Sequence, residues 1–263
     1  MTEIDAPGLK GRDGVRYIGV DLAWKMRPTP TERRSAVAAL DETARLIYYK
    51  ECTTDAEIVD SVDKLASVGC VIGIDAPLIV PDGTKGRREC EGMLMEMEIH
   101  IYPTDPKRFE EWYGGCRGVV LVELLKQGDR GYQMVDHLPA TTNKAVVETY
   151  PTGAWKRLFG EVPKFKGVPS ILKRDALFML KEMLKSRLPP GYPAVKLEEL
   201  DLARKDMESL TPLGLDIYGD ALDAVMSAYT VLLWARDPSK CEVVGDLERG
   251  FVLLPRAPGA RAR

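Results

Sequence analysis

Histidine is nearly missing from this chain. His100 and His137 are the only two, they stand far apart, and they have no ligand spacing. That disfavours histidine-built metal sites and histidine-based catalysis. The five cysteines, Cys52, Cys70, Cys90, Cys116 and Cys241, are scattered and form no C-x-x-C pair, which argues against a zinc ribbon or a disulfide framework. No apolar run approaches the roughly 18 residues that a membrane span needs. The opening MTEIDAPGLKGRDG is polar and acidic and lacks the basic-then-apolar order of a secretory signal, so a cytoplasmic location without membrane partners is expected. Positive charge is not in excess either. The formal net charge is −3 at pH 7, whereas a dedicated DNA-binding domain is usually basic. Aromatic residues make up 7% of the chain, and no row of them suggests a strip for stacking bases. There is no clear glycine-rich phosphate loop.

What remains is an ordinary globular composition, 45% hydrophobic and 29% charged over 263 residues. That length is ample for a buried core. No repeat, linker or boundary divides the chain. The expectation is one domain with a core over about residues 15–257 and flexible tails. Residues 15–21 read as a strand. Ser35–Leu40 and Arg45–Glu51 read as a hairpin around the turn at 41–43. Thr54 with Glu57 forms a capping box that opens a helix through Leu65, with Gly69 as its stop. CVIGID at 70–75 and AVVET at 145–149 are further strands, each halted by a proline. Helices are expected at 87–97, within 106–127 with a break at Gly114-Gly115, at 170–188, at 196–210 and at 218–235. Residues 251–255 read as a last short strand.

The informative residues are acids placed where core should be. IGVD at 18–21 and IGID at 72–75 share one grammar: apolar residue, glycine, β-branched residue, Asp. A buried, unpaired carboxylate is costly, so such an acid is normally hydrogen-bonded, ion-paired or bound to a metal. In a parallel sheet, ligands gather beyond the carboxyl ends of neighbouring strands. If the two strands are neighbours, Asp21 and Asp75 can share one cation. Glu148 ends the third strand in the same style. Asp220 and Asp223, three apart, fall on one helical face. Converging carboxylates raise one another's pKa, and a divalent cation held by oxygen ligands, Mg²⁺ or Mn²⁺, relieves that. Other readings stay open for single members: Asp75 as a loop acceptor, Asp220 as a helix N-cap, and Glu148 as a partner of an arginine such as Arg88.

These residues also carry a resemblance. GDALDAVMSAYT (219–230) resembles the last acidic helix of RuvC-type Holliday-junction resolvases, with its D-A-x-D-A pattern. YIGVDLAW (17–24) resembles the first strand of the ribonuclease H-like fold. Together with IGIDAPL, KGRRECEGML and VVETYP, these segments are most similar to a family of predicted nucleases with that fold, over about residues 15–235. The resemblance implies an α/β architecture. Its mixed sheet would have five strands, antiparallel over strands 1–3 and then parallel, with helices on both faces and helical insertions. It implies that Asp21, Asp75, Asp220 and Asp223 are metal ligands, Asp75 standing where resolvases usually carry Glu. Glu148 joins them as a motif acid. Arg87 and Arg88 would hold phosphate, and Trp24 and Lys166 complete the expected substrate contacts.

The expected activity is divalent-metal-dependent phosphodiester hydrolysis, with metal-activated water as nucleophile. The expected partner is nucleic acid or a phosphorylated small molecule. The alternatives are a non-catalytic module that binds a cation or a partner, and a nucleotide-binding phosphotransferase.

Overall fold

The computed structural model describes residues 3–5, 14–26, 34–66, 69–138 and 142–259. The strands are β1 (Glu3–Asp5), β2 (Arg16–Asp21), β3 (Ser35–Leu40), β4 (Leu46–Cys52), β5 (Cys70–Asp75), β6 (Gln133–Met134), β7 (Lys144–Glu148), β8 (Cys241–Asp246) and β9 (Gly250–Pro255). The helices are α1 (Asp55–Leu65), α2 (Glu89–Glu96), α3 (Pro106–Tyr113), α4 (Arg117–Lys126), α5 (Pro151–Phe159), α6 (Ser170–Ser186), α7 (Arg204–Glu208) and α8 (Pro212–Arg236).

Seven strands form one mixed sheet in the order β1-β4-β3-β2-β5-β7-β6. The β1, β4, β3 and β2 pairings are antiparallel, and those from β2 through β5 and β7 to β6 are parallel. The five-strand expectation is therefore corrected to seven. The additions are the three-residue β1 and the two-residue β6 at the two edges, too short to leave a period-2 signal. Part of the expected N-terminal tail is β1, which takes up the open backbone edge of β4. Most of the remaining expected tail, residues 1–2, 6–13 and 260–263, lies outside the described residues.

Side chains alternate across a strand, and both faces of this sheet are covered. One face packs Ile18, Val20, Ile72 and Ile74 against Ile58, Val62 and Leu65 of α1 and Leu121 and Leu125 of α4. The other packs Tyr17, Ala36, Ala38 and Val71 against α8, backed by α5, α6 and the β8–β9 hairpin. No helix among the described residues is long and apolar enough to cross a membrane.

Three helical expectations change. The long acidic helix starts at Pro212, not at Tyr218, because Thr211 caps it and accepts from Gly214 N at 3.1 Å, with proline at the first helical position. Residues 196–210 do not form one helix. Lys196 exchanges backbone hydrogen bonds with Ala44 and Leu46 at 3.0 and 2.9 Å, which holds it extended and leaves only a 3₁₀ turn at Glu198–Leu200 and the short α7. Pro151, read as a strand stop, is also the first residue of α5. The Thr54–Glu57 capping box of α1 is present, and that helix ends at Leu65, before Gly69.

Candidate active site

β2 and β5 run in register, with Gly19 opposite Gly73 and Asp21 opposite Asp75. Neighbouring strands lie roughly 4.8 Å apart, so the two carboxylates leave the sheet side by side. The glycines explain the shared grammar. A Cβ on Gly19 would overlap the backbone of α8 at Ala224 O and Ala228 N. A Cβ on Gly73 would meet Ser227 O at 3.0 Å and the Thr149 methyl at 2.7 Å. Glycine therefore lets α8 lie directly on the sheet. Upstream by about one helical turn, some 5.4 Å, come Asp220 and Asp223. The aspartates of β2 and β5 lie two residues past the glycines, about 6.6 Å. The two rises match, and the crossing brings the helix acids level with the strand acids. Asp21, Asp75 and Asp220 line one cleft, and Asp223 bears electrostatically on Asp75. Asp220 is not an N-cap, since it lies more than two turns inside α8.

Burial, followed by the charge of Asp21, pushes the Asp75 carboxyl well above the usual carboxylate range, against the opposing pull of Lys166. Asp223 is fully buried. Its Oδ1 accepts from Trp155 Nε1 at 3.2 Å, and its Oδ2 pairs with Lys166 Nζ at 2.7 Å. Lys166 follows Phe165, which is anchored in the core. Burial alone would lower the lysine's pKa, but the charges of Asp223, Asp21 and Asp75 outweigh it and raise the pKa above the ordinary ammonium value. A protein cation is thus built into the acid cluster.

Glu148 lines the same cleft and adds to the charge felt by Asp75, but it leaves its strand on the other side and is held by an arginine. Its register partner is Ile74, which points to the α1–α4 layer, so strand alternation turns Glu148 from the face that carries Asp75. It receives Arg88 Nη2 on Oε1 at 2.6 Å, and Nη1 at 2.8 Å and Leu78 N at 2.9 Å on Oε2. Arg88 is buried and also donates to Glu91 at 2.8 Å and to Ile79 O at 3.1 Å. Glu91 in turn accepts from Thr104 N at 2.9 Å. This network ties 78–79 and Thr104 to the sheet as one wall of the cleft. Arg88 is accordingly an internal brace. Arg87 is exposed and lies outside the cleft lining.

Trp24 does line the cleft. Its ring stacks on Phe109 at 5.4 Å and 28°, meets Tyr113 edge-on at 5.3 Å, and lies 5.0 Å from Tyr102. All four line the same cleft as the acids, and the whole cleft encloses about 600 Å³. Sequence reasoning found Trp24 but missed Tyr102, Phe109 and Tyr113, as well as Trp155 and Tyr150. The usable signal was Phe109 and Tyr113 at i, i+4 on a helix. Burial and then the charge of Asp75 push the Tyr150 phenol up to about 12, and it donates to His100 O at 2.6 Å.

Among the described residues, no three His, Cys, Asp or Glu side chains form a ready-made metal cage. Mg²⁺ commonly takes only one or two protein carboxylates and completes its shell with water and substrate oxygens. The in-register Asp21 and Asp75 fit that donor set.

Residues 19–247 match DUF429, a protein of unknown function. The chain belongs to the DUF429 family. No curated protein and no solved structure matches it. The DUF429 match opens at Gly19, where α8 crosses the sheet. It contains all five acids, Lys166 and the four aromatic residues of the wall.

Proposed function

We propose that this cleft hydrolyses phosphodiester bonds with the aid of Mg²⁺ or Mn²⁺, on a nucleic acid or a phosphorylated small molecule. The observation that carries the reading is the in-register pair Asp21 and Asp75 at the carboxyl ends of two parallel strands. A ribonuclease H-like assignment is supported by the five long strands, whose order β4-β3-β2-β5-β7 puts the first long strand in the middle, antiparallel on one side and parallel on the other.

In this reading Asp21 and Asp75 hold the ion, and Asp220 adds negative charge beside them. When bound, such an ion supplies Lewis acidity to the phosphate. Asp223, engaged at both oxygens, orients Lys166, and the ammonium of Lys166 draws in and positions a phosphate oxygen. Arg88 and Glu148, paired with each other, hold the part of the cleft wall that they line.

The test is hydrolysis of bis(4-nitrophenyl) phosphate with MnCl₂ or MgCl₂ against EDTA, for wild type and Asp21→Asn. Metal-dependent turnover that the substitution abolishes is expected. With about 10 mM metal and a dissociation constant of about 1 mM, binding adds roughly 1.4 kcal/mol of stability to wild type only. That amounts to roughly 3–6 °C in the unfolding midpoint. Equal hydrolysis by Asp21→Asn would remove the assignment. A second reading, a non-catalytic module that holds a cation or a partner's basic segment, is favoured by the Lys166–Asp223 pair, which already places an ammonium among the acids. A metal shift without turnover on any phosphodiester selects it.

A further inference from the structure

We propose that the cleft takes an unpaired nucleotide, its base stacked on Trp24 between Tyr102 and Tyr113 and its phosphate directed to Lys166. This rests on the phosphodiester reading of the same cleft and adds what the substrate must look like.

Trp24 is the ring that a base would stack on, with Tyr102 and Tyr113 inclined to it at 53° and 87° as the sides of the slot. Phe109 is buried and stacks on Trp24, while Tyr102 is 40% exposed. The loop that carries Trp24 is braced from two sides. Arg117, itself buried, pairs with Asp55 at 2.7 Å and donates to Ala23 O at 2.8 Å. Met26 N donates to Tyr113 O at 2.9 Å, tying the loop to the end of α3. The ring surface is thus held in place before any ligand arrives, which lowers the entropy lost on binding.

The wall, the acids and Lys166 line one cleft, and Trp24 follows Asp21 by only three residues, so the two can be no more than about 10 Å apart along the chain. The cleft, about 600 Å³, is of the size that encloses a small ligand. In a double helix the bases are stacked and paired inside, out of reach of such a pocket, so the base has to be unpaired or turned out of its stack.

Charge points the same way. The chain is net negative, and the cations that line the cleft, Lys25, Arg34, Arg88 and Lys166, are matched by the carboxylates of Asp21, Asp75, Glu91, Glu148 and Asp220, so long-range attraction to a run of phosphates is weak. Stacking, which every base offers, then becomes the main source of affinity. Binding should therefore depend only slightly on salt, in contrast to proteins that neutralise many phosphates.

The experiment is fluorescence anisotropy of full-length wild-type protein in EDTA, where the proposed hydrolysis is off. The probes are a short labelled oligothymidylate, an abasic oligomer of the same length, and the same sequence as a duplex. The abasic strand and the duplex are expected to bind at least about tenfold more weakly than the single strand, and Tyr102→Leu to lose about fivefold or more. Trp24→Leu, checked for folding by circular dichroism, should lose at least as much. Equal binding of abasic and base-bearing strands, no binding of any strand, or unchanged affinity in both aromatic variants would overturn the proposal. Base-dependent binding with no hydrolysis in Mn²⁺ would sink the hydrolase reading and leave this one standing. Hydrolysis without any preference for base would do the reverse.

Discussion

Asp21 and Asp75 are register partners, Cα opposite Cα, on parallel strands that end together. Two acids in that position repel unless a proton or a cation lies between them. With the Asp75 pKa raised by burial and by Asp21, the folded state favours the protonated acid. Its contribution to stability is complete below the unfolded pKa, near 3.9, and is lost as pH rises through the folded value. Asp75→Asn, in EDTA, is therefore expected to unfold a few degrees higher than wild type at pH 8, with the advantage shrinking as the pH is lowered. Thermal unfolding across that range checks it. A variant less stable than wild type at every pH would mean that Asp75 gains more from its partners than it loses by burial.

Glu148 is expected to behave as a structural acid. Removing one partner of a buried ion pair typically costs about 3–5 kcal/mol, so Glu148→Gln and Arg88→Leu should each lose stability on that scale in urea unfolding. The metal-induced rise in midpoint should survive in Glu148→Gln. Its disappearance from a folded Glu148→Gln would place this carboxylate on the ion instead.

Lys166 competes with any divalent ion for the same acids. Lys166→Met should lower the apparent dissociation constant for Mg²⁺, read from midpoints against metal concentration, and abolish turnover. Weaker metal binding in that variant would show that the lysine supports the ion rather than opposing it.

Gly19 has no room for a side chain, because the obstacle is the backbone of α8. Gly19→Ala should lose at least about 3 kcal/mol, the upper part of the range for overpacking. Part of that loss should be visible as reduced metal binding, since the helix that carries Asp220 and Asp223 has to lift.

The sequence made the strand ends and four of the acids legible because both obey local rules. β2 and β5 are apolar runs, so an acid inside one stands out, and D-A-x-D-A on an apolar helix stands out for the same reason. Glu148 looked equivalent to Asp21 and Asp75 because it also ends a strand. Only the pairing of Ile74 with Glu148, a tertiary fact, shows that it leaves its strand on the other side, where Arg88 holds it. The buried brace of Arg88 with Glu91 and Thr104 joins side chains whose meeting no short-range pattern specifies. Tyr102 and Trp24 are likewise remote in sequence and meet only when α3 packs against the loop after β2. The edge strands β1 and β6 were invisible because a few residues carry no periodicity.

The glycine crossing also has a consequence for how this protein is made. β2 leaves the ribosome well before the helix that covers its glycine face, which begins only at Pro212. At about 5–20 residues per second, that face stays bare for roughly ten to forty seconds during synthesis. Asp21, and then Asp75 beside it, put charge at the end of that bare surface until the helix arrives to close it.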